Sequence, residues 1–173
     1  MGRPKALLPY HGTTLAGFVA QRVREAAGSV ALIGDPVQFG NLGLPVFADA
    51  IPGCGPAGGI LTALQATATD WNLIVACDMP GVSTGALRDL LQSAETARTN
   101  CVAAAVSGGR PEPLCAVYHR RCAPAIAQAI RDKHLKMREL VGEIGVTLMA
   151  LAPAVLVNVN TPSEWARIED GAA

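Results

Sequence analysis

Asp78 closes the stretch "LIVACDMP" (residues 73–80), a run of apolar and small side chains that ends on a carboxylate, a methionine and a proline. Open α/β sheets bind ligands beyond the carboxyl ends of their strands, so an acidic group delivered there stands at a binding rim. Asp78 in that position is able to coordinate Mg²⁺, a hard cation that takes oxygen ligands and bridges phosphates. It is equally able to cap the turn that Pro80 imposes. Asp49 ends a second such stretch, "LPVFAD". It is followed by "GCGPAGGI" (residues 53–60), a glycine-dense loop opening a helix, where backbone N–H groups and the helix dipole suit a phosphate. Neither G-x-G-x-x-G nor the G-K-[ST] of a P-loop is present, so a plain turn explains the same letters. Lys5, just after Gly2 and ahead of an apolar pair, either meets a triphosphate as a point charge or is solvated.

The elements that must position these groups follow from periodicity. "TTLAGFVAQRVREAA" places Leu15, Phe18, Val19 and Val23 at helical spacing, with Thr13 or Thr14 as cap and Gly28 as stop. "SVALIG" and "LPVFAD" read as short strands, and residues 50–59 as a loop on account of their glycines and prolines. "ILTALQATA" is expected to be a helix. "WNLIVA" is an unalternated apolar strand, of the kind covered on both faces in a parallel sheet. A helix opened by Ser83 or Thr84, a strand "CVAAAV", a turn "SGGRPEP" and a strand "LCAVYH" come next. Residues 122–145 read as two helices or a broken one. "VTLMAL" and "VLVNVN" are late strands, and Thr161, Pro162 and Glu164 carry the start signals of a closing helix. Strand and helix alternate through the first half, which predicts a three-layer α/β/α fold around a mostly parallel sheet.

Composition bounds the function. With 173 residues the chain is expected to form one domain, residues 1–173. Basic and acidic residues balance at 14 each, so the broad positive field that nonspecific nucleic-acid binding needs is absent. Arg120-Arg121 and "RDKHLKMR" remain local candidates for a phosphorylated ligand. No apolar run approaches a membrane span, and the first residues lack a signal-peptide core, so a cytoplasmic protein is expected. Five cysteines without a C-x-x-C pair read as small buried thiols in a reducing compartment, and the three histidines show no metal-ligand spacing.

Taken in order, the motifs resemble the molybdenum cofactor guanylyltransferase family, within the Rossmann-like nucleotidyltransferases. "MGRPKALLP" resembles the second half of that family's L-A-G-G-x-S-x-R-M-G-x-x-K-x-L-L signature. "DAIPGCGPAGGILTAL" resembles D-x-x-x-G-x-G-P-L-A-G-I, without its leucine, and "LIVACDMPGVS" resembles the metal-binding C-D-x-P strand end. "GRPEPLCAVYH" is similar to [RH]-x-[HEQ]-P-L-x-A-x-[YW], and "VNVNTPSEW" to N-x-N-T-P-x-[DE]. The resemblance implies transfer of GMP from GTP to the phosphate of a molybdopterin-type cofactor, with Mg²⁺ as cofactor and molybdoenzymes or their chaperones downstream. It implies that Asp78 holds the metal and that Lys5 neutralises the triphosphate. Asp49, Gly55, Pro56 and Gly58 would contact the nucleotide, and Asn158, Asn160 and Arg110 the acceptor; the two asparagines also fit a simple turn before the last helix. Met1 and Gly2 align with the middle of the first motif. The expectation is therefore that the L-A-G-G-x-S-x-R segment and first strand lie upstream of a mis-assigned start, or that the enzyme is truncated, and that two strands lack a shared neighbour. Alternatives are a cytidylyltransferase for the same cofactor, a nucleotidyltransferase for sugar or alcohol phosphates, or a non-catalytic nucleotide-binding remnant.

Overall fold

A computed structural model describes residues 4–106 and 109–159. A 3-10 turn (Lys5–Leu7) leads into a two-residue-a-side hairpin of β1 (Pro9–Tyr10) and β2 (Thr13–Thr14). Then α1 (Leu15–Ala27) begins where the Thr14 hydroxyl accepts a hydrogen bond from the Gly17 amide, and ends at Gly28, whose φ of +78° gives the left-handed turn glycine adopts without penalty. Strand β3 (Leu32–Ile33) and β4 (Val46–Phe47), separated by the short α2 (Pro36–Phe39), pair in parallel. They are followed by α3 (Gly55–Ala66), β5 (Trp71–Val75), α4 (Thr84–Thr96), β6 (Cys101–Val106), β7 (Pro111–His119), α5 (Ala123–Arg131), α6 (Met137–Glu143) and β8 (Val146–Leu151).

The main sheet has the order β5-β7-β6-β8. Strands β5, β6 and β8 share one direction, and β7 runs against both of its neighbours. The fold is thus mixed α/β: three of the four strands share a direction, β6 and β8 pair in parallel, and both ladders of β7 are antiparallel. The reversal has a simple cause: only four residues (107–110) separate β6 from β7, too few for a crossover, so the two strands form a hairpin, and hairpins are antiparallel. No ladder joins the β3–β4 pair to this sheet among the described residues, and β5 has a partner on one side alone. Its Leu73, Ile74 and Val75 are accordingly half-buried, whereas residues 101–105 of β6 are buried throughout.

Period-two alternation sorts the strands into two cores. Cys101, Ala103, Ala116 and Tyr118 face α3, α5 and α6, packing on Ile60, Leu61, Leu64, Ile126 and Leu140. Val102, Ala104, Cys115 and Val117 face the other way, onto Val19 of α1 and Leu87, Leu90 and Ala94 of α4. These are the three layers. Each fully buried leucine contributes roughly 1.5–3 kcal/mol relative to exposure, and the alanines of β6 let both helical layers sit close to the sheet.

Four expectations need correction. Helix α3 starts at Gly55, so Gly55, Pro56 and Gly58 belong to its first turns and not to the loop; Pro56 sits at the start of the helix, where its missing N–H costs nothing. Strand β7 begins at Pro111, inside the expected turn. The first part of "VLVNVN" lies in a 3-10 turn (Pro153–Leu156), and residues 157–159 are irregular backbone, since Pro153 sets a helical start. The paired strands β3 and β4 are shorter than "SVALIG" and "LPVFAD". The closing helix and Asn160 lie outside the described residues.

Candidate active site

The carboxyl ends of β5, β6 and β8 lie on one edge of the sheet, together with the amino end of β7. Past β5, the Ala76 amide donates to the Leu114 carbonyl (2.7 Å), and the chain then turns through Met79 N–H to Ala76 O. Asp78 rides on that turn. Met79 is fully buried beneath it and anchors it in the α1/α4 core. Gly81 passes so close to the Ala154 carbonyl that any Cβ there collides with it. The Asp78 carbonyl accepts a hydrogen bond from the Val159 amide (3.0 Å), which fastens the segment containing Asn158 beside the turn. The half-buried Asp78 thereby has a fixed backbone on both sides.

Asn158 contributes an unusual atom. Its Oδ1 is buried and has no hydrogen-bond partner among the described residues. Orphaned buried acceptors are costly, about 1–3 kcal/mol, and a cation is one way to satisfy them. An Asp carboxylate and an amide oxygen on one rim are hard donors of the kind Mg²⁺ takes. No cluster of three His, Cys, Asp or Glu residues occurs among the described residues. Burial, and then the Asp78 charge, push the neighbouring Cys77 thiol above its ordinary pKa, which disfavours its thiolate.

Asp49 is placed to hold the glycine-rich turn. Its Oδ1 accepts from the Ile51 amide (3.0 Å) and lies 3.4 Å from the Thr62 hydroxyl. Thr62 is buried, accepts from the Ala50 amide (3.0 Å) and donates to the Gly58 carbonyl (2.9 Å). A Cβ on Gly58 would stand 2.9 Å from Asp49 Oδ1 and from the Ile51 carbonyl, so this position admits no side chain. Gly55 enters α3 with φ +56°, and no side chain caps the helix start. Its first amide groups are left for an anion. Thr62 was not foreseeable from motif spacing. Its only sequence signal is a hydroxyl on the buried face of an otherwise aliphatic helix.

Pro56, Arg110, Glu112, Leu114, Lys136 and Arg138 line a cavity of about 640 Å³. Arg110 is exposed at its edge. Lys5 lies elsewhere in the chain, half-buried on the 3-10 turn that packs against α1. The structure therefore brings Asp78 and Asn158 to one turn, Asp49 and Gly58 to a second, and Pro56 and Arg110 to one cavity.

The model of the MobA-like NTP transferase domain matches residues 1–165 of this sequence. The chain belongs to that family. Its curated relatives include proteins named probable molybdenum cofactor guanylyltransferase. The one from Pelotomaculum thermopropionicum is 33% identical over 173 residues, covering 95% of this chain and 83% of its own. The one from Bacillus subtilis is 29% identical over 181 residues, covering 98% and 88%. Among solved structures, the molybdopterin-guanine dinucleotide biosynthesis protein A of Archaeoglobus fulgidus superposes with a TM-score of 0.81 at 22% identity, covering 98% of this chain and 90% of that one. The 2-C-methyl-D-erythritol 4-phosphate cytidylyltransferase of Thermus thermophilus gives 0.75 at 22% identity, covering 98% and 94%. This MobA-like chain is a nucleotidyltransferase by family, on a Rossmann-like nucleotidyltransferase fold.

Proposed function

We propose that this protein transfers GMP from GTP to the terminal phosphate of a molybdopterin-type cofactor and releases pyrophosphate. The observation that carries the reading is the junction of Asp78 with the Asn158–Val159 segment at the strand rim, with the amide oxygen of Asn158 left unsatisfied. The names of the curated relatives support the choice of donor and acceptor. In the reaction an acceptor phosphate oxygen bonds to the α-phosphorus of GTP, the bond to the β-phosphate bridge breaks, and pyrophosphate leaves with the electron pair. Asp78 and Asn158 would hold Mg²⁺, which would supply charge neutralisation to the triphosphate. The first turn of α3, fixed by Asp49 and Thr62, orients the nucleotide. Lys5 offers a point charge to the triphosphate, and Asn160 and Arg110 are assigned to the acceptor side. No side chain forms a covalent bond; positioning and electrostatics account for the rate.

The test is transfer of label from α-labelled GTP in the presence of acceptor and Mg²⁺, with CTP in parallel. Transfer from GTP and not CTP is expected. Asp78→Asn should lower turnover by at least about a hundredfold, as removal of a transition-state charge contact does, while the melting temperature holds. Equal turnover in that variant removes Asp78 from the chemistry, and a preference for CTP replaces the guanylyl assignment with a cytidylyl one.

A further inference from the structure

Gly81 is a glycine whose own backbone does not ask for one. Its φ is not in the left-handed region, so an alanine fits its conformation. What the position lacks is room. A Cβ there would collide with the Ala154 carbonyl and stand 3.3 Å from Val155 Cα, and both obstacles are backbone atoms that no rotamer change can move. The two segments in contact are far apart in sequence and meet over the carboxyl ends of the strands. Gly81 ends the turn that follows β5 and carries Asp78. Ala154 lies in a strap, residues 153–159, that crosses the same rim and carries Asn158, the residue with the buried, unsatisfied amide oxygen.

A side chain at position 81 would have to push these segments apart, and their anchors decide which one yields. The turn is held from beneath by Met79, Pro80 and Val82, all buried. The Met79 amide donates to the Ala76 carbonyl and the Val82 amide to the Met79 carbonyl, both at 3.3 Å, and Ala76 is tied to β7 through Leu114 (2.7 Å). The strap is anchored more shallowly. Pro153, Ala154 and Val157 are exposed, and Val155 and Leu156 are half-buried. It reaches the turn through the buried Val159, whose amide donates to the Asp78 carbonyl (3.0 Å). Backbone beside solvent gives way before a close-packed turn does, so the strap is the part that moves. Asn158 precedes the residue that makes this tie, and it moves with the strap, away from Asp78.

We propose that Gly81 is a positioning residue for the divalent cation: by letting the strap lie against the turn it holds the Asn158 amide oxygen beside Asp78, and any side chain at 81 opens that pair. The inference rests on the metal assignment under the proposed function, but its test needs no turnover. Wild type, Gly81→Ala and Thr99→Ala are compared. Thr99 bonds the Cys101 carbonyl and the Thr147 hydroxyl at the opposite edge of the sheet, so its loss weakens the fold without touching the rim. Amide hydrogen exchange followed by NMR reads the strap, and calorimetric titration with Mn²⁺–GTP, and with GTP in EDTA, reads the metal; CTP is run in parallel. Gly81→Ala should lose protection at the Val159 amide and keep it at Ala76. It should weaken Mn²⁺–GTP by about tenfold or more, the scale on which groups that support metal ligands act, and leave metal-free GTP unchanged. Thr99→Ala should do neither. The proposal is overturned if Val159 stays protected in Gly81→Ala, if metal-free GTP weakens as much as Mn²⁺–GTP, if Thr99→Ala reproduces both losses, or if Mn²⁺ adds nothing to nucleotide binding by the wild type. The expected pattern with CTP in place of GTP, or without GMP transfer when acceptor is supplied, would refute the guanylyltransferase reading and leave the role of Gly81 standing.

Discussion

Thr62 shows how much of the site depends on single atoms away from the chemistry. Its hydroxyl accepts from the Ala50 amide and gives its one proton to the Gly58 carbonyl, with the Asp49 carboxylate 3.4 Å away. Thr62→Val keeps the shape and removes both hydrogen bonds, so it should cost about 1–3 kcal/mol in chemical denaturation and raise the nucleotide KM, with Thr62→Ser recovering most of both. Gly58→Ala should damage nucleotide binding too, through its clash with Asp49. The sequence draws attention to Asp78, because an apolar strand ends on its carboxylate, though those letters alone fit a turn cap as well as a ligand. It is silent on Thr62, whose letter in a helix is ordinary. Asn158 stood out by its motif. Its unsatisfied oxygen is a property of the folded rim.

The hairpin of β6 and β7 is the element whose form the letters concealed. Pro111 and Pro113 suggest a turn, yet the strand runs through both. The register explains the tolerance: it jumps between Ala103 and Ala104, so Pro113 falls in a bulge where no ladder hydrogen bond is asked of it. The freed Pro113 carbonyl accepts from the buried Tyr118 hydroxyl (2.9 Å). Tyr118→Phe should therefore orphan that carbonyl, lower stability by about 1–3 kcal/mol and loosen the cavity wall at residues 110–114, read as faster amide hydrogen exchange at Leu114. Helix and strand identities elsewhere were legible because periodicity and caps agreed, as at Thr14, Ser83 and Gly28. Strand direction was not, since it depends on the length of the connection between neighbours.

At the scale of the molecule, two cores on either side of one sheet hold protonated acids. Burial pushes the Cys101 and Cys115 thiols from about 9.0 up to about 12, and the buried Tyr118 phenol is raised well above its usual range. Groups that keep their protons more tightly when folded stabilise the fold fully below the unfolded value and progressively less above it. Unfolding free energy measured against pH should thus fall from about pH 9 toward pH 12, and native Cys101 and Cys115 should resist alkylation that denatured protein undergoes. No helix among the described residues is long and apolar enough to cross a membrane. Within this frame the rim where β5, β6 and β8 end gathers Asp78, the Asn158–Val159 segment and the amino end of β7, and the proposed function assigns the metal to the first two. A crystal structure grown with GTP and Mn²⁺ in place of Mg²⁺, with the ion located by its anomalous signal, tests that arrangement most directly. The account predicts the ion in direct coordination by an Asp78 carboxylate oxygen, with Asn158 Oδ1 facing it and the triphosphate completing its shell; an ion bound to the triphosphate but out of reach of Asp78 would contradict it.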